Sequence, residues 1–263
     1  MTLWDEFKAE NNQNKAILVE GSTDKAAFTH FFDKKRENWN SQFEIIIMGN
    51  KNKVCGKLQD PEVAFGIVDK DTWDEEQIAK FERNNGGKLC VLPRYCLENY
   101  LVLPDEIWEA LSANQKRTIT SDNLLDLESI SQNIMGWKKH AAMWKTIAPL
   151  RSQLFNSHFE NALLPKTIAL DFSDDYVKQQ LQVWSDILDP ETIFSTFQEE
   201  SESFRTMDNR AFLKTFVHGK HFYHQEVKPL LHRLVGNFKE NDLFRRLTPP
   251  EDLNFIFNRL ANF

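Results

Sequence analysis

Two aspartates directly follow a short apolar run in this chain. The run Val63–Val68 carries no charge, and Asp69 and Asp71 come immediately after it. Such a run predicts a strand that is buried on both faces of a parallel sheet, and ligands bind such sheets beyond the carboxyl ends of the strands. Residues two apart in extended chain point the same way, so the two carboxylates repel each other unless a cation compensates. The pattern therefore predicts a site for a hard divalent ion such as magnesium.

The apolar run belongs to a series of strands and helices that alternate over about the first hundred residues. Strands are predicted at 16–19, 43–48, 63–68 and 89–92, with helices after the first three of them. Short connections between alternating elements imply right-handed crossovers and a parallel sheet covered on both faces. The fold class that we expect for this part of the chain is therefore α/β.

The pattern changes after Pro104. From there on, apolar residues recur at helical spacing, and no further β-branched run of strand length is present. We predict an α/β domain over residues 1–104 and an all-α domain over residues 105–263. Gly219 is expected to end one helix, and Thr248-Pro-Pro-Glu251 to begin the last one.

Composition excludes several classes of protein. The chain has 263 residues, of which 41% are hydrophobic and 21 are Phe, so it can fill a substantial core. No apolar stretch is long enough to cross a membrane, and the first residues lack the order of a signal peptide. Three cysteines, an odd number without zinc-module spacing, favour buried thiols in a reducing compartment, so a cytoplasmic location is expected. The net charge of −7 argues against nucleic-acid binding by bulk electrostatics.

Three motifs in this order resemble a known family. They are I-L-V-E-G-S-T-D at 17–24, G-I-V-D-K-D at 66–71 and L-E-N-Y-L at 97–101. Together they resemble the Toprim fold, a Rossmann-like parallel sheet domain of topoisomerases, primases and OLD-type nucleases. Within that fold, the chain looks most like the small bacterial Toprim proteins encoded beside ABC-type ATPases, among them effectors of the PARIS anti-phage system. The resemblance covers about the first hundred residues.

The resemblance implies a role for five residues. Glu20, Asp69 and Asp71 would bind Mg²⁺, with Mn²⁺ as a possible substitute, and Glu98 would be a further ligand. Lys220, in a G-K pair near the C-terminal end, resembles the lysine that OLD-type nucleases bring to the scissile phosphate. These residue types suit phosphodiester cleavage, because carboxylates hold the metal and a lysine neutralises developing charge.

The function implied is that of a magnesium-dependent nuclease. By resemblance, it would be a toxic effector of anti-phage defence, released from a partner ABC-type ATPase to cut host nucleic acid, with tRNA favoured over DNA. The active form would be a homodimer, and the helical domain would supply cleft, dimer or partner contacts. The alternative is a non-catalytic Toprim-like subunit that binds or regulates an ATPase. Primase or topoisomerase action is disfavoured, because no P-loop motif is present.

Some acidic residues have a simpler structural explanation. Glu20 alone reads as a solvated carboxylate at a strand end, and Glu98 as a packed surface residue. Asp74, which precedes Glu-Glu-Gln, is expected to be a helix N-cap in a capping box. Thr23 or Asp24 is the expected cap of the first crossover helix, and Asp24 could also support a neighbouring metal ligand.

Basic and aromatic residues also have two interpretations. His218, His221 and His224 could form a zinc triad, but a basic face or plain surface is favoured. The run Lys34-Lys35-Arg36 fits a helix C-terminus and could also touch a nucleic-acid backbone. The aromatic stripes after Pro104 are expected in a core or an interface rather than as base-stacking platforms.

Overall fold

The fold is described by a computed structural model that covers residues 2–10, 14–120, 122–157, 159 and 174–261. Its strands are β1 (Lys15–Val19), β2 (Phe43–Ile47), β3 (Val63–Val68) and β4 (Leu89–Val91). Its α-helices are α1 (Leu3–Ala9), α2 (Ser22–Lys35), α3 (Lys51–Lys57), α4 (Glu75–Asn84), α5 (Pro104–Ala110), α6 (Ala113–Lys116), α7 (Leu127–Ile130), α8 (Ile134–Asn156), α9 (Asp174–Ile187), α10 (Pro190–Thr206), α11 (Asn209–Thr215), α12 (Gly219–Phe222), α13 (Lys228–Val235), α14 (Glu240–Arg246) and α15 (Asn254–Ala261). Short 3-10 helices span Trp39–Ser41, Leu97–Leu101 and Glu251–Leu253, and a π-helix spans Tyr223–Val227.

The four strands form one parallel sheet in the order β2-β1-β3-β4. The predicted α/β class with a parallel sheet is confirmed, and the four predicted strands lie within one residue of their expected bounds. Because β1 and β3 are hydrogen-bonded neighbours in the middle of the sheet, their carboxyl ends meet at one edge. That edge is where Glu20 and Asp69 emerge.

Burial of the central strands explains their uninterrupted apolar sequences. Every residue of β3 is buried, as are the last four of β1, because helices cover both faces of a parallel sheet. Helix α3 lies directly on β3 at Gly66, where a Cβ would be 2.6 Å from Val54 Cγ1 and 2.8 Å from Leu58 Cδ2. The close approach requires glycine there, and it lets α3 pack closely on β3.

Aromatic residues of α2 pack against the C-terminal helices. Phe31 contacts Phe244 edge-on at 6.5 Å between ring centroids, and Phe32 contacts Phe257 in the same way at 6.2 Å. Lys34 Nζ donates to the carbonyl oxygen of Leu247 at 2.9 Å, and Arg36 donates to that of Leu260. The basic end of α2 thus binds backbone carbonyls of the C-terminal segment.

The chain forms two compact units, one of Met1–Gln132 with Asn209–Phe263 and one of Asn133–Asp208. This division differs from the sequence-based boundary at Pro104. The L-P pair marks only the first turn of α5, and contacts continue across it. Arg94 forms ion pairs with Glu106 at 2.6 Å and with Asp252 at 3.1 Å, so helices beyond Pro104 belong to the unit that contains the sheet.

The second unit consists of α8, α9 and α10. Within it, Lys145 pairs with Glu200 at 2.7 Å, and the buried Lys138 donates to the carbonyl oxygen of Met207 at 2.6 Å. Large apolar side chains of this unit remain exposed: Met135, Met143, Trp144, Ile147, Phe155, Phe159, Tyr176, Val177, Leu181, Val183, Leu188 and Phe194. Among the described residues of the whole chain, no helix has the length and hydropathy needed to cross a membrane.

Candidate functional site

Glu20 lies directly beyond β1 and is bound to the neighbouring strand end. Its Oε1 accepts a hydrogen bond of 3.0 Å from the backbone N–H of Asp69. The backbone N–H of Lys51, at the start of α3, also faces this carboxylate. Burial nevertheless raises the pKa of Glu20, because desolvation disfavours the charged form. Glu20 is therefore not the freely solvated carboxylate of the simpler interpretation.

Asp69 connects β3 to the L-E-N-Y-L turn. Its Oδ1 accepts the backbone N–H of Leu97 at 3.1 Å. Burial raises its pKa well above the usual value, and repulsion from Asp24, Asp71 and Glu20 adds to the effect. Asp69 is thus a half-buried carboxyl group under the influence of other carboxyl groups, where a cation would be favourable.

Asp71 does not continue the extended chain that the sequence interpretation assumed. Strand β3 ends at Val68, and Asp71 has a φ of 51°, in the left-handed region that Asp tolerates better than most residues. Its backbone N–H donates to the carbonyl oxygen of Tyr95 at 2.7 Å, and its Oδ2 binds Lys51 Nζ at 2.7 Å. The side chains of Asp69 and Asp71 therefore have different partners.

Glu98 is buried, with 4% of its surface exposed, so it is not a surface residue. It lies in the 3-10 helix Leu97–Leu101. Its charge is close enough to raise the pKa of Asp24 and Asp69 and to raise that of Lys220. Glu98 therefore acts electrostatically on two of the carboxyl groups near the strand ends.

Asp24 belongs to the same group. Helix α2 begins at Ser22, with Gly21 rather than Thr23 or Asp24 as its N-cap. The Asp24 carboxylate turns back and accepts the backbone N–H of Gly21 at 2.7 Å. Burial, followed by repulsion from Glu98 and Glu20, raises the pKa of Asp24 to about 7. The predicted N-cap at Thr23 or Asp24 was therefore wrong, because the helix begins two residues earlier than Asp24 and Asp24 lies in its first turn.

Lys220 is an exposed residue from a distant part of the chain that interacts electrostatically with these carboxylates. The Glu98 charge raises its pKa, and Asp69 and Asp24 act in the same direction. The preceding Gly219 begins α12 instead of ending a helix, because α11 already ends at Thr215.

Gly219 lies against the L-E-N-Y-L turn. A Cβ at this position would be 2.6 Å from Asn99 Cγ and 2.9 Å from Asn99 N, so only glycine fits. The Asn99 amide in turn donates to the carbonyl oxygens of Leu213 at 2.8 Å and Val217 at 3.2 Å. These contacts explain how a G-K pair so distant in sequence comes to the site.

Sequence reasoning missed three further residues near this group. Lys51 pairs with Asp71, Glu240 lies near Glu98, and burial with the Glu98 charge raises the pKa of Glu240. The buried hydroxyl of Tyr223 has no hydrogen-bond partner among the described residues, and its pKa is raised by burial and by Glu240 and Glu98. Lys51 lies in the short segment that follows β2, which ends at Ile47, so the rule that sites lie at strand ends could have found it. No local signal marks Glu240.

The side-chain oxygen atoms of this region are chemically suited to bind a hard cation. Glu20, Asp24, Asp69, Asp71 and Glu98 offer oxygen atoms, which are the ligands that Mg²⁺ and Mn²⁺ prefer. The pKa values of Glu20, Asp24 and Asp69 are raised, in each case mainly by burial and to a smaller extent by neighbouring carboxylates. In the arrangement of the described side chains, no group of three or more His, Cys, Asp or Glu is poised to hold a metal ion.

The histidines lie next to this region. The rings of His218 and His221 are 4.3 Å apart between centroids, and His218 is 5.1 Å from Tyr95. His221 and His224 are exposed. His218 is half-buried, so only His221 and His224 lie on the surface as the simpler interpretation expected.

Asp74 is the predicted helix cap. Its Oδ1 accepts the backbone N–H of Gln77 at 2.7 Å, and the Gln77 side chain accepts the backbone N–H of Asp74 at 3.1 Å. This reciprocal pair is the expected capping box.

Comparisons with protein-family models, with curated proteins and with solved structures found no match for this chain.

Proposed function

We propose that this protein is a magnesium-dependent nuclease that hydrolyses phosphodiester bonds. The proposal is carried by two observations: a 3.0 Å hydrogen bond joins Glu20 and Asp69 at the ends of β1 and β3, and the charges of Glu98, Asp69 and Asp24 act on the ammonium group of Lys220 and raise its pKa. The Toprim-like motifs of the sequence support the same assignment.

Each side chain has a distinct task in this proposal. Glu20, Asp69, Asp71 and Glu98 would hold the ion, and Asp24 would offer a further oxygen atom. The bound ion would activate a water nucleophile and stabilise charge on the phosphoryl oxygens. Lys220 neutralises the negative charge that develops on the phosphate. The hydrogen bonds from the Asp69 and Leu97 backbones orient two of the carboxylates before any ligand binds.

Cleavage assays with Glu20→Gln test this proposal. The parent is expected to cut tRNA, single-stranded DNA or duplex DNA only with Mg²⁺ or Mn²⁺, and Glu20→Gln to lose about 100-fold or more of the rate. Glu76→Gln is the matched control, because Glu76 is an exposed residue of α4. Equal cutting by the parent and Glu20→Gln would reject the proposal.

The biological role that we propose is anti-phage defence with tRNA as the favoured substrate. Its support is the resemblance to Toprim proteins encoded beside ABC-type ATPases, which would also supply the partner. Expression in bacteria should be toxic for the parent and harmless for Glu20→Gln, with cleaved tRNA only in the first case. Intact tRNA in cells killed by the parent would exclude this substrate.

A homodimer or ATPase contact through the second unit is part of the same proposal. Its support is the set of large apolar side chains exposed on α8 and α9, such as Phe155 and Leu181. Replacement of these two residues by Ser should lower the molar mass measured by light scattering, or abolish binding of the ATPase. Unchanged mass and unchanged binding would remove this surface from the proposal.

A non-catalytic subunit is the second candidate function. It is favoured by the pairing of Asp71 with Lys51, which satisfies one predicted ligand within the protein. A protein of this kind would bind Mn²⁺ weakly or not at all and would show no turnover with any of the three nucleic acids.

A further inference from the structure

Lys51 occupies an enclosed position beside the carboxylates. Its Nζ lies 2.7 Å from Asp71 Oδ2, 3.4 Å from the carbonyl oxygen of Lys70 and 4.2 Å from the centre of the Trp73 ring. Only 12% of the Lys51 side chain is exposed, against 43% for Asp71. Unlike a mobile surface lysine, this ammonium group has partners on several sides.

The surroundings hold this ammonium group in place. The Trp73 ring stacks on Phe81 with 4.4 Å between centroids and an angle of 4° between planes, which supports the ring that faces Lys51. Lys51 is also the first residue of α3, and the Asn50 side chain caps that helix by accepting the backbone N–H of Lys53 at 3.0 Å. Both ends of the Lys51 side chain are therefore positioned by packed structure.

The backbone of Asp71 is also held in place. Its left-handed backbone is fixed by the 2.7 Å hydrogen bond from its N–H to the Tyr95 carbonyl oxygen. The Asp71 carboxylate therefore faces Lys51 because of how the loop is folded. The Lys51 charge also acts on Glu20 and lowers its pKa, against the effect of burial.

We propose that the Lys51 ammonium group is the resident cation of Asp71, and that a divalent ion must displace it before Asp71 can bind the ion. This inference rests on the metal site of the proposed function. An ammonium group and a metal ion compete for the same carboxylate oxygen. Because the partly buried ion pair must be broken first, metal binding becomes weaker than it would be without Lys51. Lys51 thereby sets the affinity of the site for its ion and keeps Asp71 compensated when no ion is bound.

Lys70 offers a matched comparison. It is the residue before Asp71, and its Nζ pairs with Glu75 at 2.7 Å instead of with a carboxylate of the site. Lys70→Met removes the same charge from the residue next to Asp71 without removing a partner of the Asp71 carboxylate. A general electrostatic effect would change metal affinity alike in both variants, whereas competition at Asp71 would act only through Lys51.

Calorimetric titration with Mn²⁺ tests the inference. Lys51→Met is expected to bind Mn²⁺ about tenfold more tightly than the parent, and Lys51→Arg and Lys70→Met within about twofold of it. In an Asp71→Asn background, Lys51→Met should change the affinity by less than about twofold, because the competition acts through that carboxylate. Thermal melting with EDTA and with Mn²⁺ gives a second readout, in which the ion should stabilise Lys51→Met more than the parent.

The outcomes separate the two proposals. If the parent binds Mn²⁺ and Lys51→Met binds it no more tightly, the inference is wrong and the nuclease proposal stands. The same holds if Lys70→Met increases the affinity as much as Lys51→Met does. The inference is supported if Lys51→Met binds Mn²⁺ more tightly than the parent and Lys70→Met does not. Absence of binding by the parent and by every Lys51 variant overturns both. If Lys51→Met does not fold, Lys51→Gln is titrated in its place, with the same results expected.

Discussion

The backbone N–H of Asp69 donates a 3.0 Å hydrogen bond to Oε1 of Glu20. These residues are far apart in sequence, yet each is the first residue after a central strand of the sheet. Since β1 and β3 are parallel neighbours, the contact follows from the strand order. It brings together the first two carboxylates of the candidate site, and the predictions below examine the residues around them.

Gly219→Ala should destabilise the protein by about 2 kcal/mol, because the new methyl group would overlap the Asn99 side chain. The adjacent Lys220 would shift with it, so cleavage should also fall. Urea unfolding and cleavage assays check both effects. Gly56→Ala is the control: Gly56 lies in α3 with open space at its Cβ, and stability should stay unchanged or rise by up to about 1 kcal/mol. Equal behaviour of the two variants would contradict this packing.

Lys220→Met should separate metal binding from turnover. Removal of a positive charge near Glu98 and Asp69 cannot weaken their attraction for a cation, so Mn²⁺ affinity should be retained or rise. The cleavage rate should fall about 100-fold, because the charge developing on the phosphate loses a partner, and Lys220→Arg should recover part of it. The assigned role would be contradicted if Lys220→Met lost Mn²⁺ binding or kept the full cleavage rate of the parent. Lys139→Met, at an exposed site, is the control.

Asp24→Asn should change how stability depends on pH without metal. A carboxyl group with a pKa raised to about 7 in the folded protein holds its proton more tightly than in the unfolded chain. The contribution of the Asp24 carboxyl group to stability is fully present below the pKa that it has in the unfolded chain. This contribution is lost as the pH rises through about 7. Asp24→Asn should therefore match the parent at about pH 4 and be more stable above pH 7 by on the order of 2 kcal/mol.

Urea unfolding in EDTA across this pH range measures the difference between Asp24→Asn and the parent. The amide oxygen of Asn can still accept the Gly21 N–H, so the local geometry is conserved. A constant difference at all pH values would show that the Asp24 carboxyl group titrates normally.

Arg94→Met should destabilise the first unit by about 3 kcal/mol. The guanidinium group is buried, binds Glu106 and Asp252, and donates to the carbonyl oxygen of Asn99 at 2.9 Å. Its removal leaves these groups without their cation. Arg205→Met is the control, because Arg205 and Glu202 form an ion pair in which both side chains are 60% exposed, and such pairs contribute less than about 1 kcal/mol. Chemical denaturation of both variants gives the comparison.

Local patterns in the sequence predicted much of the fold. The charge-free run Val63–Val68 predicted a strand buried on both faces, and every one of its residues is buried. Asp74 and Gln77 predicted a capping box that the structure contains. These predictions hold because burial on two faces and helix capping depend on residues that are close in sequence.

Other features of the site were decided by tertiary structure alone. Lys51 reaches Asp71 only because β2 and β3 flank β1, so that the segments after both strands meet at one edge. Gly219 ends no helix but packs on Asn99, a contact between residues over a hundred positions apart that no local pattern encodes. The sequence determined which acidic residues leave the strand ends, because periodicity and turns are local. The lysines that compensate them come from packing between distant segments, and only the folded chain determines that packing.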